Sequence, residues 1–336
     1  MIVGGGIAGI SSALSLSKEL LPFVPDLEIT VFERHNTLST SGGAINLTPV
    51  AQRHLAHLRV LEELNKMGPE GGVDVDAIEM FSTRTGKRIG SVDFTNKHGG
   101  SYGGFKGRRV MRIVLSMAMM TLVERSKNIK IEFGKKLVGG KETEDDVTLR
   151  FDDGTSATGD LVIGCDGVHS ATRTTIVDRN RPSEYTGISF LQTTVDTRDI
   201  RNPIHFRSTA MNISRFGSLL TSYCDRECDH VFIAAICQFD EQSMLRHRIE
   251  AGQDWKTQYH IQAALQREAR HRFGHSGIPC IREMVHKGND WVLYPVYQVR
   301  PGGRWSTERI ILLGDAAHAV SSYNTKANLF ASMFQY

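Results

Sequence analysis

The feature that most constrains this chain is the glycine spacing at its start. In MIVGGGIAGISSAL, Gly4, Gly6 and Gly9 form the pattern G-x-G-x-x-G. Such glycines suit either an unstructured terminus or the phosphate-binding turn of a dinucleotide fold, and only the surrounding context separates the two. Small and apolar residues recur at helical spacing through IAGISSALSLSKELL, predicting a helix that starts near Gly6 and ends before Pro22. LEITVFER is rich in β-branched residues and predicts a strand closing on Glu33 and Arg34. Strand, glycine turn, helix and strand make one βαβ unit. In such a unit Gly4 permits the tight turn, Gly6 lets the backbone approach a pyrophosphate, and Gly9 lets helix pack closely on strand. The helix N-terminus offers free N–H groups and a partial positive charge to phosphate oxygens. Glu33 can accept hydrogen bonds from ribose hydroxyls and would repel a 2′-phosphate, which favours FAD or NAD over NADP at this turn.

Further along, VAQRHLAHLRVLEELNKMG reads as one amphipathic helix, preceded by the glycine-containing loop STSGGAINLTP. DAIEMFSTRTGKRIGSVDF reads as a hairpin turning at RTGKR. RRVMRIVLSMAMMTLVERS reads as a long helix with basic residues at its front. Cations there oppose the helix dipole, so an anionic partner is expected for them. Between Arg181 and Asp290 the texture changes to strands without intervening helices, YTGISFLQTTVD, AMNISRFGSLLTSY and HVFIAAICQF, followed by the helix WKTQYHIQAALQREARHRF. This is antiparallel α+β texture rather than further βαβ.

Composition narrows the function. At 336 residues the chain can bury a sizeable core. A net charge of +3 with scattered basic residues does not favour a nucleic-acid partner. Five cysteines, Cys165, Cys224, Cys228, Cys237 and Cys280, show no paired framework and suit a reducing compartment. Cys224, Cys228 and His230 fall close together in YCDRECDH, but three ligands without a fourth read as a hairpin turn rather than a metal site. No stretch reaches the roughly 18–20 apolar residues of a membrane helix, and the start lacks the basic leader of a signal peptide. The expectation is a soluble, cytoplasmic protein with no transmembrane segment and no metal.

Two later motifs, DLVIGCDGVHSATR from Asp160 and RIILLGDAAHA from Arg309, are buried strands ending in Asp166-Gly167 and Gly314-Asp315. With the glycine turn and Glu33 they resemble, in order and over nearly the whole chain, the single-component FAD-dependent aromatic hydroxylases, the para-hydroxybenzoate hydroxylase-like family. WVLYPVYQVRPGGRW resembles fungal members of that group. The resemblance implies an α/β fold: a Rossmann-like, three-layer FAD-binding domain over residues 1–75, 105–180 and 291–336, interleaved with an antiparallel-sheet α+β substrate domain over 76–104 and 181–290. It implies FAD as cofactor and NADH or NADPH as electron donor. Dioxygen would be activated through a peroxyflavin to hydroxylate or epoxidise a small aromatic or polyketide-like substrate, in the manner of secondary metabolism. Asp315 would hold the flavin's ribityl chain, and Asp166 with Gly167 would serve FAD and the pyridine nucleotide. Arg112 would answer FAD's negative charge, and Gly42, Gly43 and Ala44 would leave room under the flavin ring. Arg34 adjoins Glu33 in the cofactor-binding set, and Arg108 and Arg109 would be solvated or face NAD(P)H. The alternative for Asp166 and Asp315 is that they are helix N-caps alone. His169 and His318 are expected to be structural, and Trp291, Tyr294 and Tyr297 either line the ring pocket or fill the core. No catalytic side chain is expected, because the cofactor carries the chemistry.

The pattern departs from the family at both ends. Met1-Ile2-Val3 is short beside a usual strand of about 5–6 residues. After His318 the run VSSYNTKANLFASMFQY lacks the family's proline and glycines, with Lys326 in their place and only Ala327-Asn328 similar. A chain shortened at both ends is the expectation. A flavin dehydrogenase or reductase on the same fold, and a flavin-binding remnant without activity, stand as the alternative functions.

Overall fold

The computed structural model of the chain describes residues 1–38, 43–96, 100–240, 242 and 255–319. Gly42 and the final run containing Lys326, Ala327 and Asn328 lie outside the described residues.

The predicted βαβ unit is present. β1 (Ile2–Val3) leads through the glycine turn into α1 (Ile7–Leu20) and then β2 (Ile29–Glu33). Gly9, Ile10, Ala13 and Leu14 give α1 one buried face at the i, i+3, i+4 spacing of a helix packed on a sheet. β8 (Ile129–Phe133), β12 (Val162–Gly164) and β18 (Ile310–Leu312) join them in a five-stranded sheet of order β18-β12-β1-β2-β8. Every pairing in it is parallel. β1 is central and hydrogen-bonded on both edges, with Ile2 and Val3 buried. A small antiparallel sheet of β9 (Leu137–Glu142), β10 (Val147–Phe151) and β11 (Ser156–Gly159) precedes β12.

The run from Val50 to Gly68 is two helices rather than one, α2 (Pro49–His57) and α3 (Val60–Lys66). Arg59 between them has φ 65°, a left-handed conformation that ends α2 and re-aims the chain. Leu55 of α2 and both Val60 and Leu64 of α3 pack into one core across this break. The next predicted helix is also shorter. α4 (Arg112–Arg125) begins at Arg112, and Arg108 and Arg109 lie on β7 (Gly107–Met111). β7 is held between β3 (Ala44–Leu47) and β4 (Val73–Val75) in a three-stranded antiparallel sheet. The ladder captures both arginines before the helix can start, so they do not form its basic front.

The larger sheet has seven strands in the order β17-β13-β16-β15-β14-β5-β6. Its members are β5 (Ala77–Ser82), β6 (Arg88–Asp93), β13 (Ser183–Asp196), β14 (Thr209–Ser214), β15 (Gly217–Tyr223), β16 (His230–Gln238) and β17 (Val292–Val299). Only the β14–β5 pairing is parallel. β5 and β6 form the predicted hairpin, and β17 brings Val292–Val299 into this sheet beside β13. β16 is buried on both faces, and its side chains alternate as a strand requires. Val231, Ile233, Ala235 and Cys237 pack under α5 (Trp255–Phe273) and α6 (Pro279–Lys287), together with Ile261, Leu265, Met284 and Trp291. Phe232, Ala234 and Ile236 face the other way and pack with Val75 and Ala44 of the three-stranded sheet. No helix among the described residues is long and apolar enough to cross a membrane.

Candidate cofactor site

The parallel register brings the sequence motifs to one edge. Val3 is level with Phe32 and with Gly164, and Gly164 is level with Leu312. The chain therefore leaves β1, β2, β12 and β18 on a common row, as Gly4, Glu33, Cys165 and Leu313. Ligands of open α/β sheets bind at this carboxyl edge, beside the strand where the order reverses. Glu33, Asp166 and the Gly314-Asp315 turn all lie along it.

Each glycine of the turn has its own reason. Gly4 adopts φ +105°, and a Cβ there would lie 2.4 Å from the Cys165 carbonyl oxygen. A Cβ on Gly9 would lie 1.9 Å from the Gly4 carbonyl oxygen, so close helix–strand contact depends on its absence. A Cβ on Gly6 would meet nothing within 4 Å. Gly6 is the N-cap of α1, makes no side-chain cap hydrogen bond, and is followed by a first turn without acidic residues. An open surface, an uncapped helix start and a first turn without acidic residues suit an anionic group such as a pyrophosphate.

Glu33 braces the turn. Its Oε2 accepts from the Gly5 N–H at 2.7 Å, and its Oε1 accepts from the His35 N–H at 2.9 Å and sits 2.6 Å from His35 Nδ1. Arg34 beside it is exposed. Asp166 is occupied within its own motif: Oδ1 accepts from Ser170 Oγ at 2.5 Å, and Oδ2 accepts from the Thr172 N–H at 2.9 Å and from Thr172 Oγ1 at 3.1 Å. Gly167 follows at φ +77°, with open space where a side chain would be. Gly314, at φ +59°, introduces the single-turn α7 (Asp315–His318). A Cβ on Gly314 would lie 3.2 Å from Ala8 Cβ, so this turn abuts the glycine helix.

The second and third motifs are clipped together by two arginines. Arg173, fully buried, donates to the carbonyls of Arg181, Ala316 and Val168 at 2.7, 2.7 and 2.6 Å. Arg181 donates to the carbonyls of Gly302, Arg304 and Ala317. Arg173 stands inside the quoted motif but signals nothing by itself, and Arg181 carries no sequence signal at all.

Arg112 and the glycine loop also meet. The Arg112 N–H donates to the Gly43 carbonyl at 3.0 Å, and Ala44 is level with Met111 in the β3–β7 ladder. A Cβ on Gly43 would fall 2.0 Å from the Phe232 ring, so the space at Gly43 is filled by that ring. Arg109, expected near solvent or NAD(P)H, is instead 4% exposed and faces Phe232 at 5.5 Å from the ring centre. The ladder, not solvent, decides its place. Trp291 is core, its Nε1 donating to the Gly288 carbonyl at 3.0 Å. Tyr297 stacks edge-on to His169 at 4.4 Å, while Tyr294 is exposed. His318 packs beside Trp305 at 5.2 Å. Cys224 and Cys228 lie in the β15–β16 turn, as a hairpin reading requires.

Similarity to known proteins supports an FAD-binding fold. The family model described as FAD binding domain matches residues 1–326. The chain is 24% identical over 328 residues to 3-hydroxybenzoate 6-hydroxylase of Klebsiella oxytoca, covering 96% of this chain and 74% of that protein. It is 28% identical over 324 residues to 3-amino-4-hydroxybenzoate 2-monooxygenase of Streptomyces cremeus, covering 96% and 73%. In fold it is similar to the crystal structure of Klebsiella pneumoniae HpxO complexed with FAD and uric acid, at TM-score 0.71 and 20% identity over 95% of this chain and 73% of that one. A match running from the glycine turn past the Gly314-Asp315 turn places the chain in the FAD-binding domain family.

Proposed function

We propose that the chain is an FAD-dependent monooxygenase that uses NAD(P)H and dioxygen to hydroxylate a small aromatic substrate. The observation that carries this reading is the convergence of the glycine turn, Glu33, Asp166 and Gly314-Asp315 on one sheet edge facing an open, uncapped helix start. Two relatives whose names describe oxygenation of hydroxybenzoates support the reaction class. Bound FAD would supply the redox chemistry, taking reducing equivalents from the nicotinamide and delivering one oxygen atom to the substrate.

The chain's own residues bind, orient and exclude water. The α1 N-terminus and Gly6 receive the pyrophosphate. Glu33 already accepts at three positions, and a carboxylate offers about four lone-pair sites, so one remains for a ribose hydroxyl. Asp315 receives ribityl hydroxyls, while Asp166 spends its acceptors on holding the Gly167 turn in shape. Arg112 contributes positive charge at the start of α4, where no acid competes in the first turn. The apolar face bearing Phe232, Ala234 and Ile236 keeps water from the side where the substrate would lie.

Purified protein should carry flavin absorption bands and oxidise NAD(P)H faster when an aromatic substrate is present, with hydroxylated product formed in step. Substrate-independent reduction of an added acceptor would indicate the dehydrogenase alternative instead. Asp315→Ala should lower FAD affinity by about tenfold or more, the loss of one or two charged hydrogen bonds, with little change in melting of the flavin-free protein. Unchanged flavin content in that variant would remove Asp315 from the site.

A further inference from the structure

The nicotinamide donor has no fingerprint of its own. The sequence holds one G-x-G-x-x-G turn, and the reading above gives that turn to FAD. The adenosine half of NAD(P)H needs a different handle, near the flavin and open to solvent, because the donor enters and leaves in every turnover while FAD stays.

The loop of residues 300–305, Arg-Pro-Gly-Gly-Arg-Trp, presents such a handle. Trp305 is 48% exposed, whereas Trp291 is sealed in the core at 1%. An indole this open forgoes a large apolar burial. It packs beside the exposed His318 at 5.2 Å, the two rings tilted by 32°. Arg304 is exposed too, and enters no ion pair among the described residues.

The loop is not slack. Arg181, 6% exposed, donates to the carbonyls of Gly302 and Arg304, and Asp178 Oδ2 accepts from the Arg304 N–H at 3.0 Å. A Cβ on Gly303 would lie 2.5 Å from that same oxygen, so the carboxylate is packed against the loop. A buried arginine and a carboxylate thus fix a surface loop that offers solvent a cation and an indole. Groups held in place before a ligand arrives lower the ordering cost of binding it.

The place of the loop is equally defined. The Trp305 carbonyl accepts from the Leu312 N–H at 2.8 Å, and Ser306 bridges to Ile311. Leu312 ends β18, the outer strand of the parallel sheet and two strands from β1, and the Gly314-Asp315 turn follows it. His318 closes the α7 that Asp315 opens. The indole therefore stands at the outer margin of the carboxyl edge. An indole face with a guanidinium beside it matches a purine joined to a pyrophosphate: the ring stacks, and the fork takes phosphate oxygens.

We propose that Trp305 stacks the adenine of NAD(P)H and that Arg304 holds its pyrophosphate, at the outer margin of the FAD site. The assignment rests on the hydroxylase reading above and gives the electron donor its docking residues.

The test compares NADH and NADPH with reduced nicotinamide mononucleotide, which has no adenosine. Dissociation constants come from the concentration dependence of anaerobic flavin reduction in FAD-loaded protein, and ADP binding to the same protein is measured by calorimetry. In the parent, at least one dinucleotide should bind more tightly than the mononucleotide. Trp305→Leu should shrink that advantage about tenfold and weaken ADP by a similar factor, the scale of one base–aromatic stack. Trp305→Phe, which keeps a ring, should retain most of both. Arg304→Gln should weaken ADP by about threefold to tenfold and flatten its salt dependence. A Trp305 that only supports the loop would lower the melting temperature and weaken dinucleotide and mononucleotide alike, leaving their ratio as in the parent. That unaltered ratio, parental ADP binding by Trp305→Leu, or a parent that binds no ADP overturns the assignment alone. Should Trp305→Leu not fold, parental ADP binding by Arg304→Gln overturns it instead. A parent that takes up no FAD, or whose flavin no nicotinamide reduces, overturns the hydroxylase reading and this assignment together.

Discussion

Gly6 and Gly9 stand three residues apart in one motif, yet their surroundings are opposite. A methyl group on Gly9 would press on the Gly4 carbonyl at 1.9 Å, backbone against backbone, where no side chain can swing aside. Gly9→Ala should therefore force α1 off β1 and destabilise the flavin-free protein by about 3 kcal/mol or more, the upper range for overpacking. A methyl on Gly6 meets nothing and its φ of −77° suits alanine, so Gly6→Ala should change that stability by less than about 0.5 kcal/mol. The same variant should lower FAD affinity by about tenfold or more, since the added methyl stands where the phosphate must approach. Urea denaturation and FAD titration on both variants separate the two roles, and equal effects of the two substitutions on stability would contradict them. The positions were legible from the spacing once the following helix and strand gave it context, and so was Glu33 at the end of its strand. The internal duty of Asp166 was legible only as the N-cap alternative, because nothing in DGVHSAT shows that Ser170 and Thr172 turn back onto it. Gly43 was readable as a place without a side chain, but not that Phe232, distant in sequence, is what uses the room.

At the scale of elements, hydrophobic periodicity located α1, β2, the β5–β6 hairpin and the strands β13 and β16, because each carries its own pattern, but AMNISRFGSLLTSY, which reads as one strand, is the hairpin of β14 and β15. It failed where a break has no marker. Arg59 turns left-handed without the Gly or Asn that usually announces it, and β7 hides a buried arginine in a run that looks like a basic helix start. The cysteines show what the elements themselves enforce. Cys165, Cys237 and Cys280 are buried in or beside strands and α6, as is Cys224 at the end of β15, whereas Cys228 sits half-buried in the turn. Burial pushes the thiols of Cys165 and Cys237 up to about 12 and that of Cys224 to about 11, and raises Cys280. At pH 8 an aromatic disulfide reagent should modify one thiol quickly in the native protein, and Cys228→Ser should remove that phase. Rapid reaction of two or more thiols would contradict the burial. A linked pH effect follows. An unfolded thiol ionises near 8.5, while the buried ones keep their protons, so their share of stability is complete below that pH. It declines as pH rises from about 8.5 toward 11–12, where the folded thiols ionise as well. Urea midpoints measured from pH 7.5 to 10 should fall across that range.

Across the whole molecule, three motifs far apart in sequence come to one sheet edge because β1 lies between β2 and β12, with β18 outside β12. Each motif carries its own strand end, which is why the site's outline could be read without the sheet order. The seven-stranded sheet could not be read in the same way. Its inner strand β16 is buried on both faces, an apolar run names no partner, and nothing in residues 77–93 shows that they pair beside residues 209–214. Also unreadable was the clamp that fixes the motifs to one another. Arg173 spans the turn after Asp166, the carbonyl of Arg181 and the carbonyl of Ala316 next to Asp315, so the two carboxylate-bearing turns are tied through one side chain. Arg173→Met keeps much of the volume but leaves three carbonyls without their donor. The loss should be about 3–5 kcal/mol, in line with breaking a buried charged network. Arg179→Ala, at an exposed arginine that donates to the Thr175 carbonyl of its own turn, should cost less than about 0.5 kcal/mol. Clamping also predicts coupling to the cofactor. FAD that binds both turns favours the clamped arrangement, so at one FAD concentration the parent should gain more in melting temperature than the Arg173→Met protein. Its FAD affinity should be lower, because part of the binding energy now goes to ordering the turns. If Arg173→Met melts with the parent and binds FAD equally well, the two turns are set independently and the clamp has no part in assembling the site.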